Sequence, residues 1–154
     1  DRAQRLAIMR DSRSGTYGVL ALVLTVGLRA AALAALGDAG RVAAALVAAH
    51  AAARGGLPLL LRALDPARAD GLGATAGRPE AGLAWGAAAL GGAIALIALG
   101  VGAGIVALIV TGAAMALVAG LARRRIGGYT GDILGAAEQV GEIVMLLAAS
   151  SWPS

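Results

Sequence analysis

Asp132, Gly135, Gln139 and Glu142 stand at offsets of 0, 3, 7 and 10 along one apolar stretch, so a helix there would gather them on a single face. Acids inside an otherwise apolar span are costly and mark function by default. Immediately upstream, Arg123, Arg124 and Arg125 are followed by the turn Gly127-Gly128-Tyr129-Thr130-Gly131. Such a turn delivers Thr130 and Asp132 to a helix start, where unpaired backbone N–H groups attract anions. Ten residues of helix separate Asp132 from Glu142 by about 15 Å, too far for both to ligate one ion without a break. Glu142 is therefore expected to support a neighbour, to form a separate site, or to bond Arg54 on another span.

Two other polar segments combine acids, arginines and glycines. The first is Arg10-Asp11-Ser12-Arg13-Ser14-Gly15-Thr16-Tyr17-Gly18, where Asp11 precedes an apolar run. A carboxylate there suits Mg²⁺, which takes one or two carboxylates plus substrate phosphates; the plainer reading is a polar cap at a helix end. The second is Pro66-Ala67-Arg68-Ala69-Asp70-Gly71-Leu72-Gly73, between Arg62 and Arg78. Arg68 offers a rigid fork of donors, and Gly71 and Gly73 permit close backbone approach to a phosphate; the plainer reading is a solvated loop. Arg54, beside Gly55, Gly56 and Pro58, implies a broken or kinked helix facing protein or water, with a substrate phosphate or Glu142 as its partner. Arg29 lies toward the far end of its span and is read as snorkelling. His50 is read as a packing or cavity residue rather than a catalytic base.

These residues must be positioned by apolar elements. Of 154 residues, 59% are hydrophobic and 14% are charged, whereas a soluble domain carries about a quarter charged residues. Alanine (41) and glycine (24) dominate and phenylalanine is absent, so small side chains do the packing. The absence of cysteine excludes disulfides, thiolate metal ligands and a cysteine nucleophile, and a lone histidine excludes a multi-histidine metal centre. All thirteen basic residues are arginine, giving a net charge of +4. Apolar runs between them leave neither a phosphate-contacting stripe nor stacking aromatics, which argues against nucleic acid. Asp1 to Arg13 lacks the long apolar core of a targeting signal.

A helix needs about 20 apolar residues to cross the hydrocarbon core. Five runs qualify: Thr16 to Leu36, Val42 to Leu64, Leu83 to Gly100, Gly102 to Ala122, and Ile133 to Trp152. The expected fold is an all-α polytopic membrane bundle in one integral-membrane domain over residues 1–154. Gly37-Asp38-Ala39-Gly40 and Gly100 to Gly104 read as tight helical hairpins. Ten arginines fall in the three polar segments, which alternating spans place at one end, against Arg41 alone at the other. The positive-inside rule makes the richer end cytosolic and puts the C-terminus at the opposite face. Gly82 and Gly86, and Gly112, Ala116 and Gly120, offer small-residue faces for close packing of the third and fourth spans.

Together the three segments resemble the cobalamin (5'-phosphate) synthase family, also called adenosylcobinamide-GDP ribazoletransferase. Ile8-Met9-Arg10-Asp11-Ser12-Arg13 with Gly15-Thr16-Tyr17-Gly18 looks like that family's stretch ahead of a membrane span, and Gly127-Gly128-Tyr129-Thr130-Gly131-Asp132 with Leu134-Gly135-Ala136 looks like its C-terminal signature. Ala67-Arg68, Gly71-Leu72-Gly73 and Arg54 follow in family order. The family usually has Thr at the place of Ile133, and Glu or Gln at that of Gln139, which leaves Glu138 at a variable position. It also carries, upstream of where this sequence begins, an acidic stretch of the D-G-x-x-D-x-x-D-G type, so these 154 residues are expected to lack part of the metal site and to be inactive alone.

The resemblance implies Mg²⁺-dependent joining of adenosylcobinamide-GDP to α-ribazole or its 5'-phosphate with release of GMP. It implies a cytosol-facing site in a bacterial or archaeal cytoplasmic membrane, with the lipid bilayer as surroundings and self-association into a homo-oligomer allowed. Asp11 and Asp132 are then metal or base candidates, Arg13, Arg54 and Arg68 phosphate clamps, and Thr130 with Gly128 and Gly131 a backbone cradle. Gly71, Gly73 and Glu142 complete the substrate-binding set. Two alternatives stand beside it. One is a phosphotransferase of the CDP-alcohol type, although the paired acidic motif D-x-x-D-G-x-x-A-R is not in this chain. The other is a small transporter subunit, whose polar groups would line the midplane rather than the loops.

Overall fold

The computed structural model describes residues 1–11, 15–68 and 77–152. Among them every long element is helical. A short α1 (Arg2–Ile8) is followed by α2 (Thr16–Leu36), α3 (Ala39–Ala63), α4 (Ala81–Leu99), α5 (Val101–Ile126) and α6 (Gly131–Ser150). The last five run 19 to 26 residues with mean hydropathy between 1.4 and 2.5 over their most apolar stretches, long and apolar enough to cross a bilayer. Their outer faces carry exposed Val, Leu and Ile, as a bundle solvated by lipid tails requires. The five expected spans are present, each within a few residues of its expected ends.

Local chemistry explains the boundaries. Gly37 ends α2 at φ 70°, and the Asp38 carboxylate then accepts from the Arg41 N–H at 3.0 Å to cap α3, so the hairpin turns in two residues. Gly100, at φ 79°, alone separates α4 from α5. At the end of α5, Gly127 reverses the chain at φ 77°, and Thr130 caps α6. α3 continues unbroken through Gly55, Gly56 and Pro58 to Ala63, where a broken or kinked helix was expected. Membrane helices tolerate such a proline, but its missing N–H leaves the Arg54 carbonyl without the usual partner four residues on.

Packing is tightest between α3 and α4. A Cβ on Gly55 would meet the Ala87 carbonyl oxygen at 2.6 Å, and one on Gly91 the Ala51 oxygen at 2.3 Å, so these backbones touch only because both residues are glycine. This corrects the expected small-residue faces: added Cβ atoms on Gly82, Gly86, Gly112 and Gly120 would meet nothing within 4 Å. Met115 of α5 fills the space left by Gly56 of α3 and Gly141 of α6, joining three helices. α2 leans mainly on α6, with Ala32 and Leu36 in a cluster that includes Met145, Leu146 and Ala149.

The three polar segments do meet at one end. Tyr129 N–H donates to the Asp65 carbonyl at 2.9 Å and Ala67 N–H to the Tyr129 carbonyl at 2.8 Å, a two-bond bridge between the chain after α3 and the turn before α6. Arg2 donates to the Ala67 carbonyl at 2.9 Å and Arg5 to the Arg125 carbonyl at 3.0 Å, tying α1 to the same end. Leu6, Met9 and Ile133 pack there against Ala67, Ala122 and Ile126. At the opposite end Arg41 donates to the Trp152 carbonyl at 3.3 Å.

Candidate active site

The start of α6 is built around Thr130. Its hydroxyl accepts from the Ile133 N–H at 3.4 Å and the residue is 2% exposed, so this side chain is engaged by its own helix. A Cβ on Gly128 would come within 2.0 Å of the Asp65 carbonyl oxygen, so that glycine is needed for the crossing of the 65–67 segment. Gly131 and Gly135, in contrast, face open space. Asp132, in the first turn of α6, is 62% exposed, and its Oδ2 lies 3.9 Å from Arg68 Nη2. That spacing is an ion pair at its outer limit. Arg68 is mostly buried, and its Nη1 is a buried donor with no partner among the described residues; Thr111 Oγ1 is the other such atom. A buried guanidinium donor without a partner carries a desolvation cost that a bound anion would relieve.

Asp11 lies two residues beyond Met9, which packs against the same Ala67–Ala122–Ile126 cluster as Ile133. It is exposed and has an interaction partner of its own. Arg13, Gly71 and Gly73 lie outside the described residues. Among the described residues no three His, Asp or Glu side chains gather as a metal-binding group. The carboxylate oxygens of Asp132 and Asp11 nonetheless match what Mg²⁺ takes from a protein when phosphates supply the rest of its shell.

Deeper in the bundle lies a second polar group, with partners the sequence did not indicate. Glu142 is 2% exposed, and Arg29 Nη2 donates to its Oε2 at 2.6 Å while also donating to Gln139 Oε1 at 2.8 Å. His50 Nδ1 lies 2.5 Å from Glu142 Oε1, a contact that an ionised carboxylate makes only with a protonated Nδ1. Arg54 instead donates through Nε to Glu138 Oε1 at 2.6 Å. Arg54 is thus not the partner of Glu142, Glu138 is part of the polar array despite standing at a position given no role, and Arg29 is bonded across helices rather than snorkelling to an interface. His50 is a partner of Glu142 rather than a plain packing residue.

A usable signal was depth. Measured from the arginine-rich end, Arg29 is thirteen residues along α2 and Glu142 eleven along α6, while His50 is thirteen from the end of α3. Arg54 and Glu138 lie nine and seven residues in. At about 1.5 Å per residue, each pair agrees in depth to within about 3 Å.

Fold and site together define a polytopic membrane protein with one arginine-rich end and an ion-paired polar array inside the bundle. The chain belongs to the cobalamin-5-phosphate synthase family, whose model matches residues 1–150. Relatives named adenosylcobinamide-GDP ribazoletransferase include those of Bradyrhizobium diazoefficiens, 52% identical over 98% of this chain, and Xanthobacter autotrophicus, 51% identical over 99% of it. That of Mesorhizobium japonicum is 48% identical over 97% of the chain. The matched region makes up 58%, 60% and 57% of those three relatives, so the chain spans little more than half of their length. No solved structure matches it.

Proposed function

We propose that this chain forms part of an adenosylcobinamide-GDP ribazoletransferase. A hydroxyl of α-ribazole, or of α-ribazole 5'-phosphate, attacks the phosphorus nearest the cobinamide. The phosphoanhydride bond breaks, GMP leaves, and adenosylcobalamin or its 5'-phosphate forms. The observation that carries the reading is Arg68, with its buried unpartnered Nη1, beside Asp132 at the open start of α6. A diphosphate would present oxygens to both the guanidinium and the free N–H groups of that helix turn.

In this reading Asp132 accepts the proton of the attacking hydroxyl or turns its carboxylate to a cation, and Asp11 serves from the end of α1. Arg68 and Arg13 hold phosphoryl oxygens, while Arg54, nine residues inside α3 and bonded to Glu138, is left out of the clamp; Gly71, Gly73 and Gly131 permit close backbone approach. Thr130 contributes by fixing the helix start, and Glu142 by fixing the helix across the bundle. Mg²⁺, held by Asp132 and Asp11 with substrate phosphates, would neutralise charge on the transferring phosphoryl group. The arginine-rich end is assigned to the cytosolic face of a bacterial or archaeal cytoplasmic membrane, from the excess of arginine there, with self-association left open to a second copy.

The test is GMP release by the complete protein carrying Asp11→Ala or Asp132→Ala. Loss of one metal or base carboxylate is expected to slow turnover by at least about 10²-fold. Near-normal turnover in both variants would overturn the assignment. Family membership and the names of the relatives do not favour the CDP-alcohol or transporter readings.

A further inference from the structure

Two bonded groups, Arg54 with Glu138 and Arg29 with Gln139, Glu142 and His50, lie along α2, α6 and α3, yet their outer side is not covered by the described residues. The Arg54 side chain is 66% exposed and the His50 side chain 44%, and Gln139 is exposed. Arg54 uses one of its five N–H donors on Glu138, and the remaining four have no partner among the described residues. The same holds for the Gln139 amide N–H groups and for His50 Nε2. Pro58 adds the Arg54 carbonyl, deprived of its helical donor. These groups lie about 10 to 20 Å inside the helix ends, and Arg54 is held there by Glu138 rather than free to extend toward an interface. Hydrocarbon cannot satisfy them.

The approach to the array is also open. Gly135, one helical turn nearer the arginine-rich end, would place a Cβ in empty space, and Asp132 at the mouth is exposed. Arg29 and Arg54 are balanced by Glu138 and Glu142, so the array holds no surplus charge that would select an anion. Crowded donors and acceptors in balance are what ordered water bridges, since each water needs two to four polar partners. We propose that α2, α3 and α6 line a water-filled furrow that opens at the arginine-rich end and reaches the middle of the membrane at Arg54 and His50. Its occupant is water, and it stands apart from the transfer reaction above.

Because these 154 residues have no cysteine, thiols introduced among them are read against the parent protein labelled in parallel. Gln139→Cys and Gly135→Cys would be introduced into the full-length protein in membrane vesicles, with Gly15→Cys as a loop standard. Leu117→Cys serves as the lipid-facing control, because Leu117 is 74% exposed and nine residues from the end of α5, close to the depth of Arg54. A charged, membrane-impermeant methanethiosulfonate added at the arginine-rich side is expected to label both furrow cysteines about a hundredfold faster than Leu117→Cys, from the cost of bringing a charge to the bilayer centre. A membrane-permeant maleimide labels every variant and verifies that each is inserted. Gly135→Cys disturbs no contact, which keeps the test informative if Gln139→Cys misfolds. Furrow cysteines that react only with the permeant reagent, sealed by lipid or by packed protein, would overturn the inference. Neither result depends on GMP release, so the two proposals fail separately.

Discussion

At the scale of single residues, burial separates two kinds of ion pair, since Arg29–Glu142 and Arg54–Glu138 are both 2.6 Å long. Glu142 is buried, so removing its carboxylate leaves Arg29 with Gln139 alone and His50 without its bonded partner. Breaking a buried pair from one side costs about 3–5 kcal/mol. Glu142→Ala is therefore expected to lower stability by that order in a denaturant titration of the detergent-solubilised protein. The paired exchange of Arg29→Glu with Glu142→Arg is expected to recover part of the loss, and a double exchange no better than either single change would exclude a direct pair. Glu138→Ala should cost distinctly less, because Arg54 stays hydrated. The sequence marked Glu142, since an acid in an apolar span is conspicuous on its own. Depth from the arginine-rich end narrows its partners without choosing among them, because an arginine near the end of a span looks the same whether it reaches for an interface or for a neighbouring helix. Only the lean of α2 onto α6 decides between them.

At the scale of elements, the glycines fall into two sets that sequence alone treated as one. Gly55 and Gly91 hold two backbones in contact, whereas Gly82, Gly86, Gly112 and Gly120 face outward. Gly91→Val is expected to force α3 and α4 apart at a cost of about 1–3 kcal/mol, the usual penalty of overpacking. Gly86→Val should leave the unfolding midpoint nearly unchanged when both are followed by thermal melts in detergent micelles. Equal losses in the two would mean that the α3–α4 contact is not what the glycine protects. The existence of the helices was legible because runs of about 20 apolar residues have few alternatives. Which of their faces meet was not, because with alanine and glycine everywhere the small-residue pattern occurs on every side. The expected break in α3 is absent for a related reason: Gly55, Gly56 and Pro58 weaken a helix in water, but lipid penalises an opened backbone more than it penalises a proline.

At the scale of the whole molecule, alternating spans and clustered arginines predicted one polar end, and the bridge between Tyr129 and the Asp65–Ala67 segment brings its parts together. The proposed orientation makes the end bearing Trp152 non-cytosolic. An alkaline phosphatase fused after Trp152 is expected to be active and a fluorescent protein at the same place dark; the reverse pattern would invert the topology. The site at the polar end was partly legible, since Asp132 and Arg68 were both singled out and the structure sets them 3.9 Å apart. Thr130 and Gly128 were legible as special positions but not for their reason, which is a helix cap and a chain crossing rather than an open cradle.

The pairing inside the bundle also has an electrical consequence. A living membrane holds a voltage across its thickness, and each unpaired charge within it feels about 2.3 kcal/mol per 100 mV. The two guanidinium groups and two carboxylates within the spans offset one another, and each cation shares its depth with its anion. On these paired residues the field therefore has almost no net pull.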